Sequence, residues 1–255
     1  MRAFFVAVAS LSLASIARAE PPADLRPYVF SLDGTLLQPR TAAIESGAGY
    51  NGITGSGGGL QPDDARRALG WITAAVGVVD RVQLQGTIAF GDDPANGFGL
   101  NQARIDLAVQ ALKWHKRFPV ALSFGVGYQA DAIYDHAITG VAMASAYLGR
   151  VNLTLNVRAA HYFAAGRDPV DVFVTAGVLV RATDWLRVGA EYVGEELEGV
   201  SGGDLDDSPG GRHYVGPTAA VFFVKHRLRL NATAGVVVLH GDAGPLARGS
   251  LAYLF

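Results

Sequence analysis

From residue 41 to the carboxyl terminus, apolar side chains return at every second position in segments of roughly ten residues, the period of a β-strand with one oily and one polar face. The cleanest are Val82-Gln-Leu-Gln-Gly-Thr-Ile-Ala-Phe90 and Val151-Asn-Leu-Thr-Leu-Asn-Val157. About twelve such segments follow one another, near 41–50, 67–79, 82–91, 102–113, 120–129, 138–148, 151–162, 170–181, 186–195, 214–225, 228–239 and 247–255. The last one runs to the terminal residue, with Leu251, Tyr253 and Phe255 on one face. An exposed edge of that kind aggregates unless it pairs with the first strand and closes a barrel whose outer face meets lipid.

The connections predict the topology. Asp80-Arg81, His115 to Arg117, Gly149-Arg150, Thr183-Asp184 and His226-Arg227 are tight, whereas 51–64, 92–101, 130–136, 163–169, 196–212 and 241–245 are longer and rich in Gly, Asp and Pro. Regular alternation of short and long, with both ends on the short side, gives an even strand number. The expected fold is therefore all-β: a single transmembrane up-and-down antiparallel barrel of about twelve strands. A two-residue turn at His226-Arg227 would set Leu230 against Phe223, Ala232 against Val221, Val238 against Val215, and His213 against His240. The same logic at Asp80-Arg81 sets Leu84 against Gly77 and Phe90 against Trp71, so Trp71, Phe90, Tyr253 and Phe255 are expected in aromatic girdles at the membrane surfaces.

Composition fits that picture. Half of the 255 residues are apolar and 17% are charged, yet no apolar run after residue 19 approaches the roughly 18 residues that cross a bilayer as a helix. A net charge of −2 gives no reason to expect nucleic acid as a partner. The absence of cysteine excludes disulfides, thiolate metal sites and a lipoprotein anchor. Residues 1–19 read as a cleaved signal peptide, with Arg2 as its charge and Ala17-Arg18-Ala19 as its cleavage site. Residues 20–40, with Pro21, Pro22 and Pro27, read as a periplasmic lead or a segment entering the lumen, and 41–255 as the barrel.

Three resemblances add to this. The ending Tyr253-Leu254-Phe255 resembles the aromatic-x-Phe terminal signal of bacterial outer-membrane barrels. That implies a Gram-negative outer-membrane location with extracellular loops and periplasmic termini. It also implies contact with outer-membrane lipids and lipopolysaccharide, and with the barrel-assembly machinery through the last strand. The size, the signal and the turn style of Val79-Asp80-Arg81-Val82 are similar to small transporter barrels that include the MetA-type phenol-degradation proteins, which implies transport of a small polar or amphipathic solute. Finally, Val29-Phe-Ser-Leu-Asp-Gly-Thr-Leu-Leu37 resembles the opening motif of haloacid-dehalogenase phosphatases. Ser31 stands at the nucleophile position and no strand–helix alternation follows, so this stretch reads instead as a short turn at Asp33-Gly34.

The polar face supplies the candidate site. Glu45, Gln83, Gln85, Arg104, Asp106, Arg158, Asp171, Arg187, Glu191, Glu195 and Arg229 are expected to line the lumen, together with Gln110, Asn152, Asn156, Thr175 and Asn231. Both signs occur, which suits either a narrow pore of weak ion selectivity or a barrel bridged shut by arginine–carboxylate pairs. Ala121, Ser123, Gly125 and Gly127 leave room inside. No catalytic residue, metal ligand or cofactor is expected. None of the histidines is followed by serine two places on, as the outer-membrane phospholipases require; the acidic stretch from Glu195 to Asp207 lacks EF-hand spacing; and the glycines of 52–59 lack the lysine of a phosphate loop. The expected function is thus a narrow pore or transporter for small solutes. Two alternatives remain, a closed barrel anchoring an envelope complex through partner proteins and a lipid-modifying enzyme.

Overall fold

A computed structural model describes residues 28–52, 68–93, 97–131, 135–163, 170–195, 211–239 and 242–255. The signal segment, the glycine-rich stretch from 53, the acidic residues 196–207 and His240 lie outside the described residues. Twelve strands make one closed antiparallel barrel in which each pairs with its sequence neighbours. They are β1 (Ala42–Asn51), β2 (Ala68–Val79), β3 (Val82–Asp93), β4 (Gly97–Leu112), β5 (Val120–Asp131), β6 (Asp135–Leu148), β7 (Val151–Tyr162), β8 (Val170–Arg181), β9 (Leu186–Gly194), β10 (His213–Phe223), β11 (Leu228–Leu239) and β12 (Asp242–Leu254). Closure runs from Ala43↔Leu254 to Asn51↔Leu246, so the chain's last strand has no free edge.

The alternation places oil outside. On β7, Leu153, Leu155 and Val157 point outward, with Leu155 half exposed at 50%, while Asn152, Thr154, Asn156 and Arg158 are buried inside. Ile72, Ile105, Val126, Val215 and Leu230 continue the outer apolar surface on other strands. A folded chain that shows its largest aliphatic residues outward and buries its charges has the inside-out arrangement of a barrel solvated by hydrocarbon.

Irregularities alter the expected register in several places, among them a shift between Gln110 and Leu112 in the β4–β5 pairing. Beside the tight turn at Asp80-Arg81, where Arg81 has a φ of 67°, the β2–β3 pairing shifts between Gly77 and Val79. The bulged Val78 reverses the parity of β2 from Gly77 back to its start. Leu84 therefore faces Val76 instead of Gly77, and Trp71 faces Ala89 instead of Phe90. The turn before β11 spans residues 224–227, with Val224, Lys225 and His226 all at positive φ. Val221 then faces Leu230, Ala219 faces Ala232, and His213 faces Val238. That slip of two residues leaves every side chain on its expected face. β4 begins at Gly97, well before the expected 102, because its pairing with β3 skips Asn101 and interrupts the alternation there.

In the middle of β10, Gly216 and Pro217 pair with β9 but not with β11. Proline lacks the N–H that the ladder needs. Side chains bridge the seam instead: the Thr233 hydroxyl donates to the Pro217 carbonyl at 2.8 Å and the Thr218 hydroxyl to that of Ala232 at 3.1 Å.

Candidate functional site: a lumen filled by the chain's own amino-terminal segment

Residues 28–38 run inside the barrel. Tyr28 and Ser31 are fully buried, and Val29 and Asp33 nearly so. The stretch has no strand partner, so its backbone polar groups must be satisfied by lumen side chains. Glu191, on β9 and 1% exposed, accepts hydrogen bonds from the amides of Val29, Phe30 and Ser31, each at 3.0 Å. Three consecutive N–H groups converging on one carboxylate form an anion nest turned inside out: the wall supplies the charge and the segment supplies the donors.

Around this latch the other contacts fall into place. Asn231 donates to the Tyr28 carbonyl at 2.7 Å, and the Tyr28 hydroxyl donates to the Asn152 carbonyl at 2.9 Å. The Gly34 carbonyl accepts from both Ser123 and Gln110, and its amide donates to Ser145 at 2.8 Å. Gly34 is required there, because a Cβ would sit 2.7 Å from the Ala121 carbonyl oxygen. The small residues of β5 thus make space for the segment. Phe30 lies between the Tyr214 ring, at 5.0 Å, and the Arg248 guanidinium, at 4.8 Å. Leu37 donates its amide to Gln83 at 2.9 Å, and the chain then leaves through Arg40 and Thr41, which exchange backbone bonds with Gly77.

The expected lumen residues take several places. Glu45 and Arg229 form a buried ion pair at 2.8 Å, Arg104 and Asp106 pair at 2.8 Å, and the Arg187 guanidinium covers the Phe222 ring at 4.6 Å. Gln83, Gln85, Asp106, Arg158, Glu45 and Arg229 share one cavity with the segment. Asp171 and Glu195 are buried elsewhere on the inner wall, near the ends of β8 and β9. Of the four girdle residues, Phe90, Tyr253 and Phe255 face outward, and Tyr253 meets Phe255 edge-on at 4.9 Å. Trp71 does not: it is 4% exposed and inside, packed with Leu69 and Ala89 and lying against Gly47, a consequence of the Val78 bulge. Sequence reasoning missed Tyr28, Phe30, Asp33, Tyr147, Tyr214 and Arg248. Arg248 was legible in principle, since it shares the inward parity of Ser250 and Ala252.

The phosphatase-like stretch is this same lumen segment. Asp33 accepts from the amide and hydroxyl of Thr35 and from the Tyr147 hydroxyl, which makes it a turn-former. His136, His161 and His213 sit on the outer face. His136 bonds Tyr128 and His213 bonds Tyr192, with stacked rings in both pairs. Among the described residues, no group of three or more His, Asp or Glu side chains is placed to hold a metal.

No family model and no curated protein sequence matches the chain. Solved structures do. The COG4313 outer membrane channel from Pseudomonas putida F1 superposes with a TM-score of 0.64 at 12% identity, over 91% of this chain and 100% of that one. The KdgM porin gives 0.56 at 7%, over 84% and 99%, and the NanC porin 0.57 at 6%, over 82% and 98%. At such identities the likeness is one of architecture: this chain has the fold of small outer-membrane β-barrels.

Proposed function

We propose that the chain is an outer-membrane channel for small solutes whose lumen is closed at rest by residues 28–38. The observation that supports this most directly is the Glu191 latch, a single wall carboxylate holding three successive amides of the segment. A barrel that needed only to be shut would fill its lumen with wall side chains, as the Glu45–Arg229 pair begins to do. A segment seated by hydrogen bonds to the wall, with one carboxylate gathering three of them, has the character of a gate. The short turns then face the periplasm, the longer connections face outward, and lipid A phosphates lie near the histidine–tyrosine pairs. A small amphipathic solute, as the MetA-type resemblance implies, suits the mixed lining of the cavity.

Planar bilayers test it. The full chain should give rare or small steps, and a chain lacking residues 28–38 should conduct steadily, with its folding checked by heat-modifiable electrophoretic mobility. Should the deletion not fold, full-length E191A takes its place. A deleted or E191A barrel that folds and stays silent overturns the channel. The filled lumen also favours a second reading, a closed barrel that anchors an envelope complex. Silence of both variants, together with envelope proteins that co-purify from native membranes, would support it.

A further inference from the structure

Because every strand pairs with its sequence neighbours, successive connections fall on alternate ends of the barrel. The corners 80–81, 113–119, 149–150, 182–185 and 224–227 therefore share one end, together with the entry to β1 at Arg40. That end is basic. Nine lysines and arginines lie in or beside these corners, including all three lysines of the chain, against two carboxylates, Asp80 and Asp184. Asp80 is taken up by Lys113 and Arg81, whereas Lys116, Arg117, Arg150, Lys225 and Arg227 are exposed, with no ion pair to any described residue. At the opposite end the described charges differ: Asp242 is exposed, Asp92 partly so, and Arg212 is buried.

Turn geometry does not ask for these residues. Positive φ is usually left to Gly, Asn or Asp, yet Arg40, Arg81 and Lys225 adopt values of 64°, 67° and 53°. A cation is kept where glycine would relax the backbone, so the charge has a use beyond the turn. Its neighbours indicate which. Phe118 stands next to Arg117, Val224 next to Lys225, and Trp185 in the corner that Arg181 opens, and all three are more than half exposed. A free anion or an acidic protein would meet the cations and gain nothing from the apolar tips. A lipid interface meets both, with phosphates at one level and acyl chains at the next. We infer that this end of the barrel is a binding collar for anionic phospholipids, whose phosphodiester groups sit among the arginines and lysines while the aromatic tips enter the acyl boundary. Any transmembrane barrel touches lipid; this one selects the charge of the headgroup, and at one end. The inference rests on the orientation given with the proposed function, short turns toward the periplasm and its phospholipid leaflet, and not on conduction.

The test uses the full chain as W71F/W114F, which retains Trp185 as its one tryptophan, in phosphatidylcholine vesicles holding a minority of phosphatidylglycerol. Bromine is carried on the acyl chains either of the phosphatidylglycerol or of an equal share of the phosphatidylcholine. Both leaflets have the same composition, so the direction of insertion does not matter. The ratio of quenching should report a preference for phosphatidylglycerol of at least about fivefold, what one basic side chain near an anionic surface provides. R150Q/K225Q/R227Q should bring the ratio close to one, and R150K/K225R/R227K should keep it. Should the glutamine variant not fold, added salt replaces it and should erode the preference by screening. Equal quenching by the two lipids, or a preference that neither the glutamines nor salt reduces, overturns the collar. Orientation is read separately from K116C in intact cells, which a membrane-impermeant maleimide should reach only after the outer membrane is breached. Labelling of intact cells would overturn the phospholipid leaflet as the partner and leave conduction untouched. A barrel silent in bilayers that still prefers phosphatidylglycerol would keep the collar and remove the channel.

Discussion

Arg248 lies with its guanidinium 4.8 Å from the centroid of the Phe30 ring and 6.0 Å from that of Trp71, and Phe30 in turn packs against Tyr214 at 5.0 Å. One arginine thereby joins the segment to a wall tryptophan. Replacing Phe30 by alanine removes a desolvated cation–π contact and a packed ring, an effect of about 2 kcal/mol on seating the segment. The expected outcome is a marked rise in open probability of F30A in bilayers, with barrel stability unchanged.

Glu191→Gln should loosen the segment more than it loosens the barrel. The amide keeps one acceptor oxygen but turns an N–H toward donors, and each hydrogen bond to the lost charge was worth about 1.5–3 kcal/mol. The chain has no cysteine, so a single S31C reports the change cleanly. Thiol labelling of S31C/E191Q is expected to run at least about tenfold faster than that of S31C. Equal rates would remove Glu191 from the latch.

The Glu45–Arg229 pair is buried, and its arginine is fully so. Taking away either partner leaves a stranded charge, which costs about 3 kcal/mol or more. E45A and R229A should each lower the urea midpoint of the barrel in lipid vesicles. The double variant should recover part of the loss, which a merely additive pair of substitutions would not do.

Asp80, at the turn between β2 and β3, hydrogen-bonds Lys113, and this together with the charges of Lys113 and Arg81 holds its carboxyl below the usual carboxylate range. A depressed value means that the pair's contribution is present above the unfolded-chain value and fades as pH falls through the folded one. In K113A the Asp80 titration, followed by carbon NMR, should move upward. Because the group is exposed, global stability should barely change.

Trp71 gives a check on the inner wall. In W114F/W185F, which retains Trp71 alone, brominated lipids should leave the fluorescence unquenched, whereas the variant retaining only the half-exposed Trp185 should be quenched.

The barrel was legible because period-two alternation is set by the pleat and survives any turn. Val151 to Tyr162 and Leu228 to Leu239 match their expected bounds residue for residue. What escaped was parity: one bulged residue, Val78, carries no compositional mark, yet it moves Trp71 from lipid to lumen. The segment from 28 to 38, which the sequence left between periplasm and lumen, was undecided for a different reason. The wall encloses most of it, so no regularly solvated face imposes a period. Its trace lay in the wall instead, in the run of small inward residues Ala121, Ser123 and Gly125, which clear a path for backbone at Gly34.

Arg40 and Thr41 pin the chain to Gly77 immediately after the lumen segment ends. A blocker moored so close to its seat never becomes dilute. Its local concentration stays on the order of millimolar whatever the abundance of the protein. Recapture after each departure is then a unimolecular event, so conduction should come as brief flickers whose durations ignore how many barrels share the bilayer.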